Sequence, residues 1–165
     1  MQAVPGHPSR EPVPVPPRRR GTLPPVITLH DGYEIDDDPA RIDRDAVWEF
    51  LSTQAYWGRW RARADLETQI AVAWRVLSLY EPGTGRTVGF ARAVSDGVSF
   101  AYLADVYVHP DVRGHGLGVA LVRAMLDTGA HMRWTLHTRD AHELYRRFGF
   151  SAPDETALER PAPPR

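Results

Sequence analysis

Three glycines at alternate positions form the part of this sequence whose residue types best suit chemistry. Gly114, Gly116 and Gly118 lie between the apolar run 106–108 and an apolar segment with helical period. At the start of a helix the backbone N–H groups are unpaired and the helix dipole is positive. Glycine lets an anion approach these amides closely, and Arg113 adds a planar guanidinium that suits phosphate. The segment predicts an anion site, with a tight turn that binds nothing as the alternative.

The spacing of these glycines does not match the two common nucleotide-binding motifs. The run R-G-H-G-L-G, residues 113–118, differs from the dinucleotide pattern G-x-G-x-x-G. No glycine here is followed by the lysine and hydroxyl residue of a P-loop. Both nucleotide interpretations are therefore weakened.

The whole segment resembles the acetyl-CoA-binding motif of the GNAT superfamily of N-acetyltransferases. That motif has an arginine or glutamine, two residues, a glycine, one residue, and then a glycine or alanine, and Arg113, Gly116 and Gly118 occupy these positions. The ending L-H-T-R-D-A-H-E-L-Y-R-R-F-G-F, residues 136–150, is similar to the second signature of the family. The two signatures stand in the right order, and the resemblance covers residues 26–160.

The resemblance implies acetyl-CoA as a cosubstrate and no metal. Its diphosphate would lie on the amides of the glycine turn, and its pantetheine arm would lie along residues 106–108, where the strand at 132–137 splays away. A backbone N–H near Val108 would polarise the thioester carbonyl. The implied cofactor-binding residues are Val106, Tyr107, Val108, Arg113, Gly114, His115, Gly116, Leu117, Gly118 and Thr138.

Two residues are predicted to move protons. The resemblance implies that Tyr145 protonates the departing sulfur, and an ordinary tyrosine pKa near 10 keeps it protonated at neutral pH. The alternative for Tyr145 is a purely structural place in the hydrophobic core. Asp105, expected on the same strand face as Leu103 and Tyr107, could accept the amine proton or could only bond a neighbouring loop. Because the chain has no cysteine, we expect direct transfer in a ternary complex.

The acceptor site is expected in an aromatic loop and on the strands facing it. Aromatic faces suit an ammonium group, although many strand aromatics only pack in a core. The acceptor is expected to be a primary amine on a small molecule, while a protein N-terminus or lysine stays open. A non-catalytic acyl-CoA sensor and a plain structural domain are the alternative functions. The predicted substrate-binding residues are Tyr56, Trp57, Arg92, Tyr102 and Trp134.

Hydrophobic periodicity predicts the elements that position these residues. Short, turn-rich loops between consecutive strands predict antiparallel hairpins, and a helical crossover follows them. The predicted fold class is α/β: a mixed, largely antiparallel central sheet with helices on both faces, GNAT-like, with splayed central strands. The expected strands are 27–35, 74–79, 87–93, 99–108 and 132–137, and the expected helices are 43–51, 64–71, one from 117 onward, and 140–148.

Composition bounds the domain organisation and the partners. The chain has 165 residues, of which 42% are hydrophobic, so one domain over residues 26–160 is expected. Residues 1–25 hold eight of fifteen prolines and an arginine cluster, which predicts a disordered arm, and residues 161–165 are expected to fray. The net charge of -1 argues against nucleic-acid and membrane partners. We expect a cytoplasmic monomer or homodimer, since neither a membrane span nor a secretory signal is apparent.

Overall fold

A computed structural model of the chain describes residues 26–161. The disordered arm expected at 1–25 and nearly all of the frayed end at 161–165 therefore lie outside the described residues. The strands are β1 (Val26–Thr28), β2 (Glu34–Asp36), β3 (Arg75–Tyr80), β4 (Thr87–Ser95), β5 (Phe100–Val108) and β6 (Arg133–Thr135). The helices are α1 (Arg44–Thr53), α2 (Arg63–Val72), α3 (Leu117–Asp127) and α4 (His142–Arg146), with a 3-10 turn at Pro110–Val112.

The strands form one six-stranded sheet in the order β1-β2-β3-β4-β5-β6. Each of the first four strands pairs antiparallel with the next. Short turns make the connections β1–β2, β3–β4 and β4–β5, while α1 and α2 lie between β2 and β3. β6 pairs parallel to β5, because α3 carries the chain across the sheet between them. The predicted α/β class with a mixed, largely antiparallel sheet is confirmed.

Helices cover both faces of the sheet and create two cores. α3 buries its apolar stripe, including Leu121 and Met125, against Leu77 and Leu79 of β3. On the opposite face α1 and α2 pack with Phe90 and Tyr107 in a second cluster. Alternation along β3 separates the two cores, since Val76 belongs to the second cluster.

The expected single strand over residues 27–35 is wrong, because the structure has two short strands there. β1 and β2 form a hairpin whose loop closes with Leu29 N donating to Tyr33 O at 2.7 Å. Gly32 has a φ of +79° in this loop. The Asp31-Gly32 pair is a typical hairpin-turn sequence, and it accounts for the break.

An irregularity in β5 changes which side chains share a face. Phe90 pairs with Tyr107 but Arg92 pairs with Ala104, so β5 has one residue more than β4 over this stretch. Asp105 lies at this bulge with a φ of +55°. The expected common face of Leu103, Asp105 and Tyr107 is therefore wrong: Leu103 packs in the α3 core and Tyr107 in the opposite core.

The sheet opens beyond the first residues of β6. β6 pairs with β5 only from Phe100 to Tyr102. Among the described residues no strand pairs with the rest of β5 on this side, so a cleft opens along residues 103–108. This is the predicted splay of the central strands. None of the helices within residues 26–161 has the length and apolar character needed to cross a bilayer.

Candidate active site

The glycine turn has the backbone conformation that its sequence predicts. Gly114 has a φ of +91° and Gly116, the N-cap of α3, has a φ of +71°. A side chain would strain both positions, although a Cβ would meet no atom within 4 Å at either one. The turn is therefore open to its surroundings rather than packed against the protein.

The amides of this turn have no protein partner in the described part of the chain. The first helical bond runs from Ala120 N to Gly116 O at 3.0 Å, and no acceptor within residues 26–161 takes the N–H groups of residues 114–118. Arg113 Nε donates to Val108 O at 3.0 Å, which holds its guanidinium beside these amides. The exposed His115 side chain turns towards Asp31, with Nδ1 at 3.5 Å from Oδ2. These contacts leave an electropositive pocket of main-chain donors.

A cavity of about 760 Å³ connects the glycine turn with α4. It follows β5 along the cleft where β6 has diverged, and it ends at Tyr145. We call it the donor cavity. The residues predicted for the cofactor that line it are Val106, Tyr107, Val108, Arg113, Gly114, Gly116, Leu117 and Gly118.

A second cavity of about 550 Å³ lies between the α1–α2 loop, β4, β5 and the segment before α4. We call it the acceptor cavity. Two of the predicted substrate residues, Arg92 and Tyr102, line this cavity and not the donor cavity, and the same holds for the predicted base Asp105 and for Thr138. The residues that line both cavities are Tyr56, Trp57, Val106, Asp140, Ala141 and Tyr145. The two cavities therefore meet at Tyr145.

Tyr145 is held in a buried position at this junction. It lies on α4, is only 8% exposed, and packs edge-on against Phe150 with ring centroids 5.9 Å apart. Burial raises the pKa of Tyr145 to about 12, and the neighbouring Tyr56 and Asp140 add to this rise. The hydroxyl is consequently protonated over the whole neutral range and can act as a proton donor.

The carboxylate of Asp105 is bound on both of its oxygens. Arg61 Nη2 donates to Oδ1 at 2.6 Å, and Arg92 Nε donates to Oδ2 at 2.9 Å. All three side chains are almost completely buried. Arg61 belongs to the α1–α2 loop, so the structure contains the loop contact that was the alternative for Asp105. Its role as a base stays a prediction.

The aromatic loop forms the shared wall of the two cavities. Tyr56 and Trp57 pack edge to face with centroids 4.9 Å apart. Arg139 stacks its guanidinium 3.7 Å from the centre of the Tyr56 ring, and its backbone N–H donates to the Tyr56 hydroxyl at 3.1 Å. Across the acceptor cavity, the Tyr102 hydroxyl lies 3.1 Å from His137 Nδ1.

Three predicted site residues lie elsewhere than expected, and one of them, His115, lines neither cavity. Trp134 lines neither cavity, because its Nε1 donates to Gly129 O at 2.9 Å and its ring packs on Trp74. Thr138 lines the acceptor cavity and not the donor cavity, since its hydroxyl accepts from Ala141 N at 3.0 Å at the start of α4. Aromatic side chains on strands and hydroxyls that accept a backbone hydrogen bond in a turn are common structural features.

Sequence reasoning missed several residues of the acceptor cavity. Arg61 directly follows the aromatic loop, and this adjacency was the available signal. Gln69 comes from α2, while Arg139 and Asp140 come from the second signature and could have been named from it. Within residues 26–161 no group of three or more His, Cys, Asp or Glu side chains is arranged to hold a metal ion.

Comparisons with known proteins agree with this architecture. The chain matches the family model "Acetyltransferase (GNAT) domain" over residues 68–152. It is 32% identical to a curated Gibberella zeae protein named "Putative acetyltransferase FG08082", over 68% of this chain and 75% of that protein. It is also 36% identical to "Uncharacterized N-acetyltransferase ycf52" of Porphyra purpurea, over 39% of this chain and 40% of that protein.

Solved structures share the fold. A GNAT-family protein of Xanthomonas campestris pv. campestris superposes with a TM-score of 0.73 at 32% identity, over 79% of this chain and 94% of that one. A Mycobacterium tuberculosis protein solved in complex with CoA has a TM-score of 0.62 at 19% identity, over 76% of this chain and 75% of that one. Fold and site define the acetyltransferase class. The chain belongs to the GNAT superfamily.

Proposed function

We propose that this protein transfers the acetyl group of acetyl-CoA to a primary amine on a small molecule. One observation carries the proposal: a cavity lined by bare main-chain amides meets a second cavity at a buried, protonated tyrosine, Tyr145. A donor substrate in the first cavity and an acceptor in the second would bring their reacting atoms together at this junction.

The donor cavity suits the chemistry of CoA. The amides of residues 114–118 have no protein partner within the described chain and lie at the positive end of α3, which favours a diphosphate. The guanidinium of Arg113 adds a full positive charge next to them. Along the cleft, β5 offers its edge at Val106 and Val108 to an extended, amide-containing arm, as a strand edge does for a peptide.

The proposed reaction uses main-chain and side-chain groups of β5 and α4. Acetyl-CoA supplies an acetyl thioester. The neutral amine attacks its carbonyl carbon from the acceptor cavity, and a backbone N–H near Val108 stabilises the charge that develops on the oxygen. Tyr145 donates its proton to the sulfur as the carbon–sulfur bond breaks. The chain contains no cysteine, which supports direct transfer between two bound substrates.

The proton lost by the amine needs an acceptor. Asp105 remains the predicted base, directly or through water, while its two bonds to arginines support a second role in holding Arg61 and Arg92. The proposal also keeps a cytoplasmic location, a monomer or homodimer, and no nucleic-acid or membrane partner. The net charge of -1 is consistent with a protein that binds neither nucleic acid nor a membrane.

Binding of acetyl-CoA is the first test. We expect acetyl-CoA to raise the melting temperature of the protein, since a ligand that binds only the folded state stabilises it by mass action. A thiol-release assay across amino acids, polyamines, aminoglycosides and peptides then identifies the acceptor. A melting temperature that does not change with acetyl-CoA would refute the proposed function.

The variant Tyr145→Phe separates an enzyme from a non-catalytic acyl-CoA sensor. Loss of the proton donor should lower kcat about 100-fold, a usual contribution of general acid catalysis, while the Kd for acetyl-CoA stays within about 2-fold. Calorimetry measures the affinity and thiol release measures turnover. Equal turnover in the variant and the natural protein would remove Tyr145 from the mechanism, and the absence of amine-dependent thiol release in both proteins would support the sensor.

A further inference from the structure

The acceptor cavity has an excess of buried positive charge in one wall. Arg61, Asp105 and Arg92 lie next to one another there, with side-chain exposures of 6%, 1% and 8%. Two guanidinium groups face one carboxylate, so this cluster has a net charge of +1. A buried charge without a counter-charge is costly, and proteins usually pair it.

Several donors in this wall have no partner within the described residues. Arg61 Nε and Nη1 and Trp57 Nε1 are buried without a hydrogen bond. Arg92 donates its Nε to Asp105 Oδ2 and is itself one of the residues that line the acceptor cavity. Donors outnumber acceptors in this wall, and the ligand that completes it must supply negative charge and hydrogen-bond acceptors.

The wall that the acceptor cavity shares with the donor cavity carries an acidic group and aromatic rings. Asp140 lines the junction of the two cavities together with Tyr145, and the rings of Tyr56 and Trp57 lie on the same shared wall. Arg139 already stacks on the Tyr56 ring, so Asp140 is the group on this wall that suits an arriving ammonium group. The acceptor cavity thus has two buried arginines in one wall and a carboxylate beside Tyr145, where the acetyl group would arrive.

We infer that the acceptor is a primary amine that also carries a carboxylate, an amino acid or a related compound. The inference rests on the proposed function and specifies its substrate. The carboxylate binds the terminal nitrogens of Arg92, and Arg61 adds its charge from the other side of Asp105. Arginine suits this task because its planar fork matches a carboxylate with two parallel hydrogen bonds. The amine then lies at the junction, next to Tyr145.

Matched pairs of amines test the inference on the unmodified protein. Each L-amino acid and each ω-amino acid is compared with its own primary amide, which differs only in lacking the carboxylate charge. We expect kcat/KM to favour the best acid over its amide by about 100-fold, since a site built around a charged group rejects the analogue that lacks it. Amides of α-amino acids have more neutral amine at a given pH, so this bias opposes the expected result.

The variant Arg92→Lys tests the residue and has a matched control. Lysine keeps the charge and loses the fork, so KM for the preferred acid should rise about 10-fold while KM for acetyl-CoA stays the same. Arg75→Lys is the control. Arg75, on β3, is as buried as Arg92 and pairs with Asp37, but it lines neither cavity. The control should leave both KM values unchanged, and melting curves verify that both variants fold.

The outcomes separate this inference from the proposed function. If acetyl-CoA binds and amides are acetylated as well as acids, the inference is wrong and the acetyltransferase stands. If acetyl-CoA does not bind, the proposed function fails, and with it the inference. If acetyl-CoA binds without turnover of any amine, calorimetry of N-acetyl amino acids on the CoA-saturated protein decides. Binding of these acids in preference to their amides supports the inference, and no such preference overturns it.

Discussion

At the scale of single residues, Asp105 has the most consequential contacts. It lies at the β5 bulge with a positive φ, and it binds one arginine from the α1–α2 loop and one from β4. Aspartate tolerates this backbone conformation better than most residues do. Its carboxylate also compensates part of the charge of two buried guanidinium groups. Removing that charge should destabilise the fold whether or not Asp105 also accepts a proton.

The variant Asp105→Asn is expected to lower the free energy of unfolding by about 3 kcal/mol, because it leaves two buried guanidinium groups without their counter-charge. Urea denaturation measures this change. Asp45→Asn is the control: Asp45 also pairs with an arginine, Arg63, but its side chain is 84% exposed and the loss should stay below about 0.5 kcal/mol. Equal losses in the two variants would contradict the structural role of Asp105.

The raised pKa of Tyr145 gives a second residue-scale prediction, on pH dependence. Burial favours the neutral phenol, so Tyr145 stays protonated until pH approaches about 12. We expect kcat to show no loss from pH 8 to about pH 10, the ordinary tyrosine pKa, since the proton donor remains loaded over this range. Thiol-release rates at saturating substrates measure the profile. A decline near pH 10 that disappears in Tyr145→Phe would show that its pKa is not raised.

At the scale of elements, the start of α3 and the edge of β5 form the donor site together. α3 begins at a glycine in the left-handed conformation, which leaves the amides before it free of the helix. β5 loses its neighbour where β6 diverges, which leaves a strand edge beside those amides. Each feature is a local consequence of backbone geometry. Their adjacency creates an elongated cavity with donors at one end.

Gly116→Ala should weaken acetyl-CoA binding by disturbing this turn. A Cβ at a φ of +71° costs roughly 1 kcal/mol, and relieving the strain reorients the amides that follow. We expect the Kd for acetyl-CoA to rise about 10-fold in calorimetry, the equivalent of one charge-assisted hydrogen bond. Gly83→Ala has the same strain, with a φ of +76° and open space, in the β3–β4 turn. Weaker binding in both variants would point to a general loss of folding.

At the scale of the whole molecule, the helices on both faces of the sheet contribute to the two cavities. α3 and its core stabilise one face, while α1, α2 and their loop cover the other and supply Tyr56, Trp57 and Arg61 to the cavities. The donor and acceptor cavities are separate along most of their length and share a wall only near Tyr145. Two substrates can therefore occupy the protein at once.

This arrangement predicts a sequential mechanism. When acetyl-CoA and the amine are varied against each other, double-reciprocal plots of initial rates should intersect, because both substrates must be bound before transfer. Thiol-release rates over a grid of both concentrations provide the test. Parallel lines would indicate a covalent acetyl-enzyme and would contradict direct transfer. Mass spectrometry of the protein after incubation with acetyl-CoA alone is the control, and no added acetyl mass is expected.

The sequence alone determined the features that depend on residues close together in the chain. The glycine turn, the start of α3 and the helix that carries Tyr145 all follow from local backbone chemistry. Turn residues also predicted the antiparallel hairpins between β3, β4 and β5, although the Asp31-Gly32 turn between β1 and β2 was missed. These features locate the donor site because it is built from backbone.

Only the tertiary structure decided the composition of the acceptor cavity. Arg61 and Asp105 are 44 residues apart in sequence, and Arg92 and Asp105 are 13 apart, so no local pattern indicates their contact. The β5 bulge shifts the alternation by one residue, which separated Leu103 from Tyr107. Trp134 is an aromatic residue of the kind that binding sites often use, but its ring packs on Trp74 instead. Side-chain sites depend on which distant segments meet, and that outcome is fixed by packing of the whole chain.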